Sequence, residues 1–131
     1  MVKVSKRKKL EMFNPTVIFS GYTCDVQFSR YHDNNLRISL VDIVDGSPVA
    51  TATVNIEGVK LASNEVCIKD YSENAGMLMA LQAAGIVERV VDVVQSGYVD
   101  VPVVTLTDNV MEVYETIDGF NNLRGVDNHV V

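Results

Sequence analysis

The chain has 131 residues, of which 47% are hydrophobic and 21% charged. This length and composition predict one globular domain with a proper core and argue against a disordered chain. No run approaches the eighteen apolar residues that a transmembrane helix needs, and no apolar h-region follows the basic N-terminus as it would in a signal peptide, so we expect a cytoplasmic protein.

The net charge of −6 conceals an asymmetry along the chain. Residues 1–10 hold five basic residues and no acid, whereas residues 11–131 hold 6 basic and 17 acidic residues, a net −11. We predict a flexible basic arm at 1–12, a single α+β domain at 13–118 and a polar tail at 119–131. An acidic body disfavours a nucleic-acid-binding face and suits either solubility or a partner with a basic surface.

Period-two alternation of apolar and polar residues predicts strands in the first half of the chain. The first is clearest at Tyr22–Phe28 and can begin as early as Thr16. The second begins at Leu36, and a slip of phase at Leu40–Asp42 predicts a β-bulge. A turn at Asp45-Gly46-Ser47-Pro48 leads to a third strand at Val49–Ile56. These strands predict an antiparallel meander with one face exposed to solvent.

The pattern changes to helical spacing after a fourth strand at Glu65–Lys69. Asp70 followed by Glu73 has the form of a capping box, with Ser72 as a competing N-cap. We predict a helix over 72–84 that packs its Met/Leu face on the sheet and ends at Gly85 in the C′ position.

Two valine-rich segments, Ile86–Gln95 and Tyr98–Leu106, flank Ser96-Gly97 and predict a β-hairpin. Pro102 cannot donate to a ladder, which places the second strand at an edge or turns that position outward. Thr107-Asp108 can cap a short C-terminal helix whose apolar stripe is Val110, Val113, Tyr114 and Ile117. The predicted fold class is therefore α+β: a three-stranded antiparallel meander plus a later hairpin, with one main helix packed on the sheet and a short C-terminal helix.

Residues for catalysis or metal binding are sparse. Cys24 and Cys67 lie in strand-like segments outside any metal motif, which predicts buried free thiols. The only histidines are His32 and His129, and no nucleophile, phosphate-loop or metalloprotease signature accompanies them. We therefore expect no enzyme, no cofactor and no metal.

Candidate binding residues lie in three connections and in the arm. The loop after the first strand combines a cation, an aromatic ring, an imidazole and amides, which can hydrogen-bond a ligand or a partner. Tyr71 at the helix start and Tyr98 at the hairpin turn are aromatic residues of a kind common at interfaces. Each of these positions also suits an ordinary turn, cap or sheet residue. The loop candidates are Arg30, Tyr31, His32, Asn34 and Asn35. The arm candidates for nucleic-acid contact, a weaker prediction, are Lys6, Arg7, Lys8 and Lys9.

Three segments of the chain, residues 30–40, residues 45–55 and Ser96-Gly97-Tyr98 with Pro102, together resemble a family of small uncharacterised proteins of plasmids, conjugative elements and phages, notably of gut bacteria. Arg30-Tyr31-His32-Asp33-Asn34-Asn35-Leu36-Arg37-Ile38-Ser39-Leu40 is similar to that family's R-Y-x-N-N-x-L-A-I-x-L. Asp45-Gly46-Ser47-Pro48-Val49-Ala50-Thr51-Ala52-Thr53-Val54-Asn55 is similar to its G-E-P-Y-A-x-x-T-V-N, with Ser47 and Val49 in place of Glu and Tyr. Ser96-Gly97-Tyr98 with Pro102 resembles its third element, although Val103 stands where an aromatic is common. The resemblance implies a mobile-element origin and no particular reaction.

Three functions remain open at this point. The leading hypothesis is a non-catalytic accessory protein of a phage or mobile element that binds and inhibits a host defence or nucleic-acid-processing protein, its acidic surface engaging a basic groove. The second is a small-ligand or signalling-nucleotide sponge with a pocket near Arg30, Tyr31 and His32. The third is an oligomeric structural or assembly protein that uses the valine hairpin. A membrane partner is not expected.

Overall fold

The computed structural model describes residues 15–113, of which 15–107 form one compact unit and 108–113 belong to a second. Residues 108–113 are helical, with Val110 and Val113 buried, which confirms the described part of the predicted C-terminal helix. The rest of its stripe, Tyr114 and Ile117, lies outside the described residues, as do the predicted arm and tail. No helix within 15–113 is long and apolar enough to cross a membrane.

The first sheet is an antiparallel meander of four strands in chain order. The strands are β1 Thr16–Phe19, β2 Tyr22–Arg30, β3 Leu36–Asp42 and β4 Pro48–Thr51. Alternate residues of β1 and of the first five residues of β3 are buried, as the period-two pattern predicts.

The meander has one strand more than predicted, because a tight turn splits the first strand. Ser20 and Gly21 both have positive φ, 52° and 83°, as a type I′ hairpin turn requires. Phe19 therefore pairs with Tyr22 instead of preceding it in one continuous strand. Ser-Gly is a turn dipeptide, so the signal was present in the sequence.

The predicted bulge is confirmed at the pairing of β3 with β4. The register shifts between Leu40 and Val41, where Leu40 pairs with Ala50 and Val41 pairs with Pro48. The third predicted strand, Val49–Ile56, is divided in the structure, because its pairing with β3 as a ladder ends at Thr51.

The chain changes partner at Ala52. Its N–H donates to the Ile38 carbonyl of β3 (2.8 Å), while its carbonyl accepts from the Lys69 N–H (2.9 Å). Beyond it, Thr53 forms an antiparallel bridge with Ile68, and the Val54 N–H donates to the Cys67 carbonyl (3.0 Å). We call residues 52–54 the joint, because they hydrogen-bond both to the first sheet and to the segment that starts the second.

The second sheet contains β5 Glu65–Cys67, β6 Val87–Ser96 and β7 Val99–Leu106, in the order β5-β7-β6. The valine hairpin is thus confirmed, with Gly97 at φ 60° as the first turn residue, typical of a type II′ turn.

The expectation that Pro102 lies on an edge strand was wrong, because β7 is the central strand. Pro102 sits just beyond the last β5 pair, Cys67 with Val103, and its carbonyl accepts from the Ile68 N–H (3.0 Å). A proline at the end of a ladder removes one donor position there and leaves the rest of the pairing intact.

The helical segment begins later than predicted. A short 3-10 turn, Ser72–Asn74, precedes the helix α1 at Met77–Ala83, and Gly76 at φ 95° separates them. The Asp70 carboxylate accepts from the Gly76 and Leu78 N–H groups (3.0 Å each) and so caps α1 from a distance. The predicted capping box is not formed, because Glu73 accepts from Lys69 Nζ (2.7 Å).

The C-terminus of α1 is as predicted. Gly85 has φ 76°, its N–H donates to the Gln82 carbonyl (3.1 Å), and the Ile86 N–H donates to the Leu81 carbonyl (3.0 Å). These two bonds form a Schellman motif. The helix contacts β1, an edge strand of the first sheet, and β6, an edge strand of the second sheet. It buries Met77 and Leu81.

Replacing Gly85 by alanine should lower the free energy of unfolding by about 1 kcal/mol, because alanine at positive φ is strained. No atom lies within 4 Å of an added Cβ, so the loss is conformational rather than steric. Gly85→Asn is the matched control, since asparagine tolerates this backbone region, and it should retain more of the stability. Urea denaturation measures both; an alanine variant as stable as the wild type would contradict the prediction.

Candidate functional site

The loop between β2 and β3, residues 31–35, is closed by its own hydrogen bonds. The Tyr31 N–H donates to the Asn35 carbonyl (2.8 Å) and the Asn34 N–H to the Tyr31 carbonyl (2.9 Å). Arg30 Nη1 donates to the Asn34 carbonyl (2.7 Å). Asn34 lies at φ 75°, a conformation that asparagine adopts more readily than most residues. Thus Arg30 and Asn34 shape the turn.

Tyr31 fastens this loop to the joint. Its hydroxyl lies 2.9 Å from Thr53 Oγ1, and the same oxygen accepts from the Ile38 N–H (3.2 Å). Thr53 is only 3% exposed. Its buried hydroxyl therefore bonds both the Ile38 N–H of β3 and the Tyr31 hydroxyl of the loop. The Arg37 guanidinium stands over the Tyr31 ring, 5.7 Å from its centroid, within the range of a cation–π contact.

Amide side chains make a second connection beside it. Asn35 Nδ2 donates to Asn55 Oδ1 (3.0 Å), and Asn55 Nδ2 donates to Asp33 Oδ2 (2.9 Å). The bond from Asn55, with further bonds from Asn35 and the charge of His32, lowers the pKa of the Asp33 carboxyl. Residues 30–40 and 45–55 therefore meet here, Tyr31 with Thr53 and Asn35 with Asn55.

An open groove of about 530 Å³ runs along the joint on this side. Its polar lining comes from the β2–β3 loop, from residues 51–55 and from the segment before α1, where Lys69 and Glu73 form an ion pair (2.7 Å). This contact raises the pKa of Lys69 and lowers that of Glu73. The polar lining residues are Tyr31, Thr51, Thr53, Asn55, Lys69, Glu73 and Asn74.

The remaining candidate residues lie apart from this network. Tyr71 is partly buried in a small core under residues 54–61, with Lys69 Nζ 5.7 Å from its ring centroid. Tyr98 is fully exposed at the β6–β7 turn, and His32 is exposed in the loop. The arm residues Lys6, Arg7, Lys8 and Lys9 lie outside the described residues.

Both thiols are buried in strands, as the sequence predicts. Burial, with the charges of Asp42 and Asp25, raises the pKa of the Cys24 thiol, and burial with Glu65 raises that of Cys67. A raised thiol pKa keeps sulfur in its less nucleophilic form. No group of three or more potential metal ligands lies within residues 15–113.

The outer strand of the second sheet, β6, exposes Val90, Val91 and Val93. The Pro102 carbonyl faces β5, so its cross-strand partner Val93 directs its N–H away from β7. The Asp92 carboxylate accepts that N–H (2.8 Å). The Val93 N–H is thus already bonded to a carboxylate, and β6 also contains two register shifts. Both features oppose pairing of β6 with a further strand.

Negative charge dominates the described surface. Residues 15–113 contain 13 acidic and 5 basic side chains. The two cations of the first sheet, Arg30 and Arg37, lie at the loop end of β2 and β3, whereas Asp42 and Asp45 lie at the other end. The loop end of the first sheet therefore carries both arginines together with Asp33, whereas the described residues of the opposite end, which we call the anionic end, carry carboxylates and no cation.

Comparison with protein-family models, curated proteins and solved structures found no match to this chain. The resemblance to mobile-element proteins stays a prediction from the sequence. Sequence reasoning overlooked Thr53, Asn55 and Asp92, although the T-V-N segment of the resemblance includes the first two.

Replacing Thr53 by valine should lower the free energy of unfolding by about 1–3 kcal/mol, because the buried Ile38 N–H loses its side-chain acceptor. The matched control is Thr51→Val, an isosteric change at a half-buried position of the adjacent strand, which should cost less. Denaturant midpoints measure both. Equal losses for the two variants would show that the Thr53 hydroxyl does not stabilise the joint.

Stability should fall in acid partly through Asp33. Because the pKa of Asp33 is lowered in the folded state, its contribution to the free energy of unfolding is complete above the unfolded pKa of about 3.9. This contribution is lost as the pH falls through the folded-state pKa. Asp33→Asn should therefore flatten the decline of the denaturant midpoint below about pH 4. Asp45→Ala is a positive control, because its carboxyl also has a lowered pKa in a separate turn and its loss should flatten the decline as well. Asp33→Asn with an unchanged acid profile would refute this role.

Proposed function

We propose that the chain is a non-catalytic accessory protein of a phage or mobile element that binds and inhibits a host protein with a basic surface. The observation that carries the proposal is the charge of the described surface, 13 acidic against 5 basic side chains. Such a surface accelerates encounter with a cationic partner and repels nucleic acid. A host defence or nucleic-acid-processing protein, acting in the cytoplasm, has the matching basic surface.

The geometry of the loop supports binding by surface rather than by a pocket built from the loop residues. Tyr31 and Asn35 are held by Thr53 and Asn55, and Asp33 accepts from two amides. These bonds hold the loop against residues 53–55, and they occupy polar groups of Tyr31, Asp33 and Asn35 within the fold. Exposed apolar side chains, in contrast, lie in or beside the hairpin turns, on β6 and, as Met79, on α1.

The test is affinity capture of the full chain from bacterial lysate at low and high salt, followed by activity assays of the captured protein. We expect a host protein that dissociates as salt rises, since screening weakens exposed charge pairs, and whose activity the purified chain inhibits. Expression in cells should then protect phage or plasmid DNA. Recovery of no partner, together with no protection, would refute the proposal.

The groove beside the joint favours a second candidate, a small-ligand or signalling-nucleotide sponge. Its volume of about 530 Å³ is within the range of small-molecule sites, and the Lys69–Glu73 pair offers both charges. A nucleotide specific to the folded state should raise the melting temperature, and Lys69→Met should abolish that rise. A flat response across a nucleotide panel would remove this candidate.

A further inference from the structure

Two hairpin turns lie side by side at the anionic end of the first sheet. The β1–β2 turn is formed by Ser20 and Gly21, and the β3–β4 turn by residues 43–47. The Ile43 N–H donates to the Thr23 carbonyl (3.0 Å) and joins the second turn to β2 next to the first. Four large apolar side chains are exposed here, which we call the apolar tip: Ile18 (72% exposed), Tyr22 (49%), Ile43 (49%) and Val44 (87%).

The β3–β4 turn is rigidly held although its most exposed residues are apolar. Asp42 Oδ1 accepts from the Val44 N–H (2.9 Å), and Asp45 Oδ1 accepts from the Ser47 N–H (2.9 Å). The Gly46 N–H donates to the Asp42 carbonyl (2.7 Å). Turns usually place glycine, proline or small polar residues in such positions. Here two β-branched residues are presented to solvent in a fixed conformation, which lowers the ordering cost of binding.

Three carboxylates lie at the same end of the sheet as the apolar tip. Asp42 is the last residue of β3, Asp45 lies in the turn that follows, and Asp25 in β2 pairs with Thr16 and Val41. Burial, with smaller contributions from the charges of Asp42 and Asp25, raises the pKa of the Cys24 thiol at this end of the sheet. Arg30 and Arg37 lie at the opposite end of the same strands.

We infer that the apolar tip is the docking surface for a protein that presents an apolar pocket rimmed by lysine or arginine. This inference rests on the proposed function and names its surface. Burial of Ile43 and Val44 supplies affinity, while Asp25, Asp42 and Asp45 attract and orient the cationic rim. The exposed valines of β6 are the competing surface, but the Asp92 carboxylate accepts the outward amide there, and the cation Arg89 stands in the same strand as the carboxylates of Glu88 and Asp92.

The probe is a displayed library of random dodecamer peptides, selected on the full-length chain. We expect enriched peptides to combine lysine or arginine with aliphatic or aromatic residues. In ¹⁵N-labelled protein, a selected synthetic peptide should shift the amide resonances of residues 18–23 and 42–47. Enriched peptides without basic residues, or shifts confined to the β6–β7 hairpin, would overturn the inference.

Paired variants separate the two apolar surfaces. Ile43→Ser with Val44→Ser should weaken peptide affinity about tenfold or more, and the matched control, Val91→Ser with Val93→Ser, should change it less than about twofold. Melting temperatures confirm that both variants fold. Equal effects of the two pairs would overturn the inference.

Charge is tested by Asp25→Asn with Asp45→Asn, which keeps a side-chain oxygen acceptor in the turn. We expect a slower association rate and a weaker dependence on salt, with little change in the dissociation rate. An unchanged salt dependence would refute the cationic rim. A concentration-dependent dimer that the Ile43/Val44 variant abolishes would assign the tip to a second copy instead.

Failure of this inference is distinct from failure of the proposed function. A host inhibitor complex that forms equally well with the Ile43/Val44 variant would overturn the docking surface and leave the proposed function standing. Absence of any inhibited host protein would instead remove the proposed function.

Discussion

The buried hydroxyl of Thr53 is the contact on which the rest of the structure depends. At Ala52 the chain leaves β3 and pairs with the segment after β5, and a change of partner leaves backbone groups that regular pairing does not serve. Thr53 Oγ1 accepts the Ile38 N–H and bonds the Tyr31 hydroxyl at this point. A buried amide without an acceptor is costly, so this hydroxyl lets one strand segment serve two sheets.

The same contact explains the composition of the β2–β3 loop. A cation, an aromatic ring and several amides in one loop suggest a binding site, but most of these groups hydrogen-bond within the loop or to the joint. Asn55 lies beyond the joint and connects to Asp33 and Asn35. The loop and the joint therefore stabilise each other.

The surface left for binding differs between the two sheets. On β6, register shifts and the Asp92 carboxylate oppose strand pairing. At the anionic end of the first sheet, Asp42 and Asp45 have the opposite effect, because they hold a turn that presents Ile43 and Val44 to solvent. The Asp92 carboxylate occupies an outward backbone N–H, whereas the carboxylates of Asp42 and Asp45 hold the turn that exposes the apolar side chains. This contrast places the proposed docking surface on the first sheet.

The sequence by itself determined the local features: the alternating strands, the bulge at Leu40, the valine hairpin and the Gly85 helix end. Each depends on residues within a few positions of one another, so periodicity and turn chemistry suffice. Tertiary structure alone decided the change of partner at Ala52, the central position of β7 and the use of Tyr31 by Thr53, 22 residues away. These depend on which segments meet in space, because a hydrogen-bond donor satisfied from afar leaves no periodic signal in the chain.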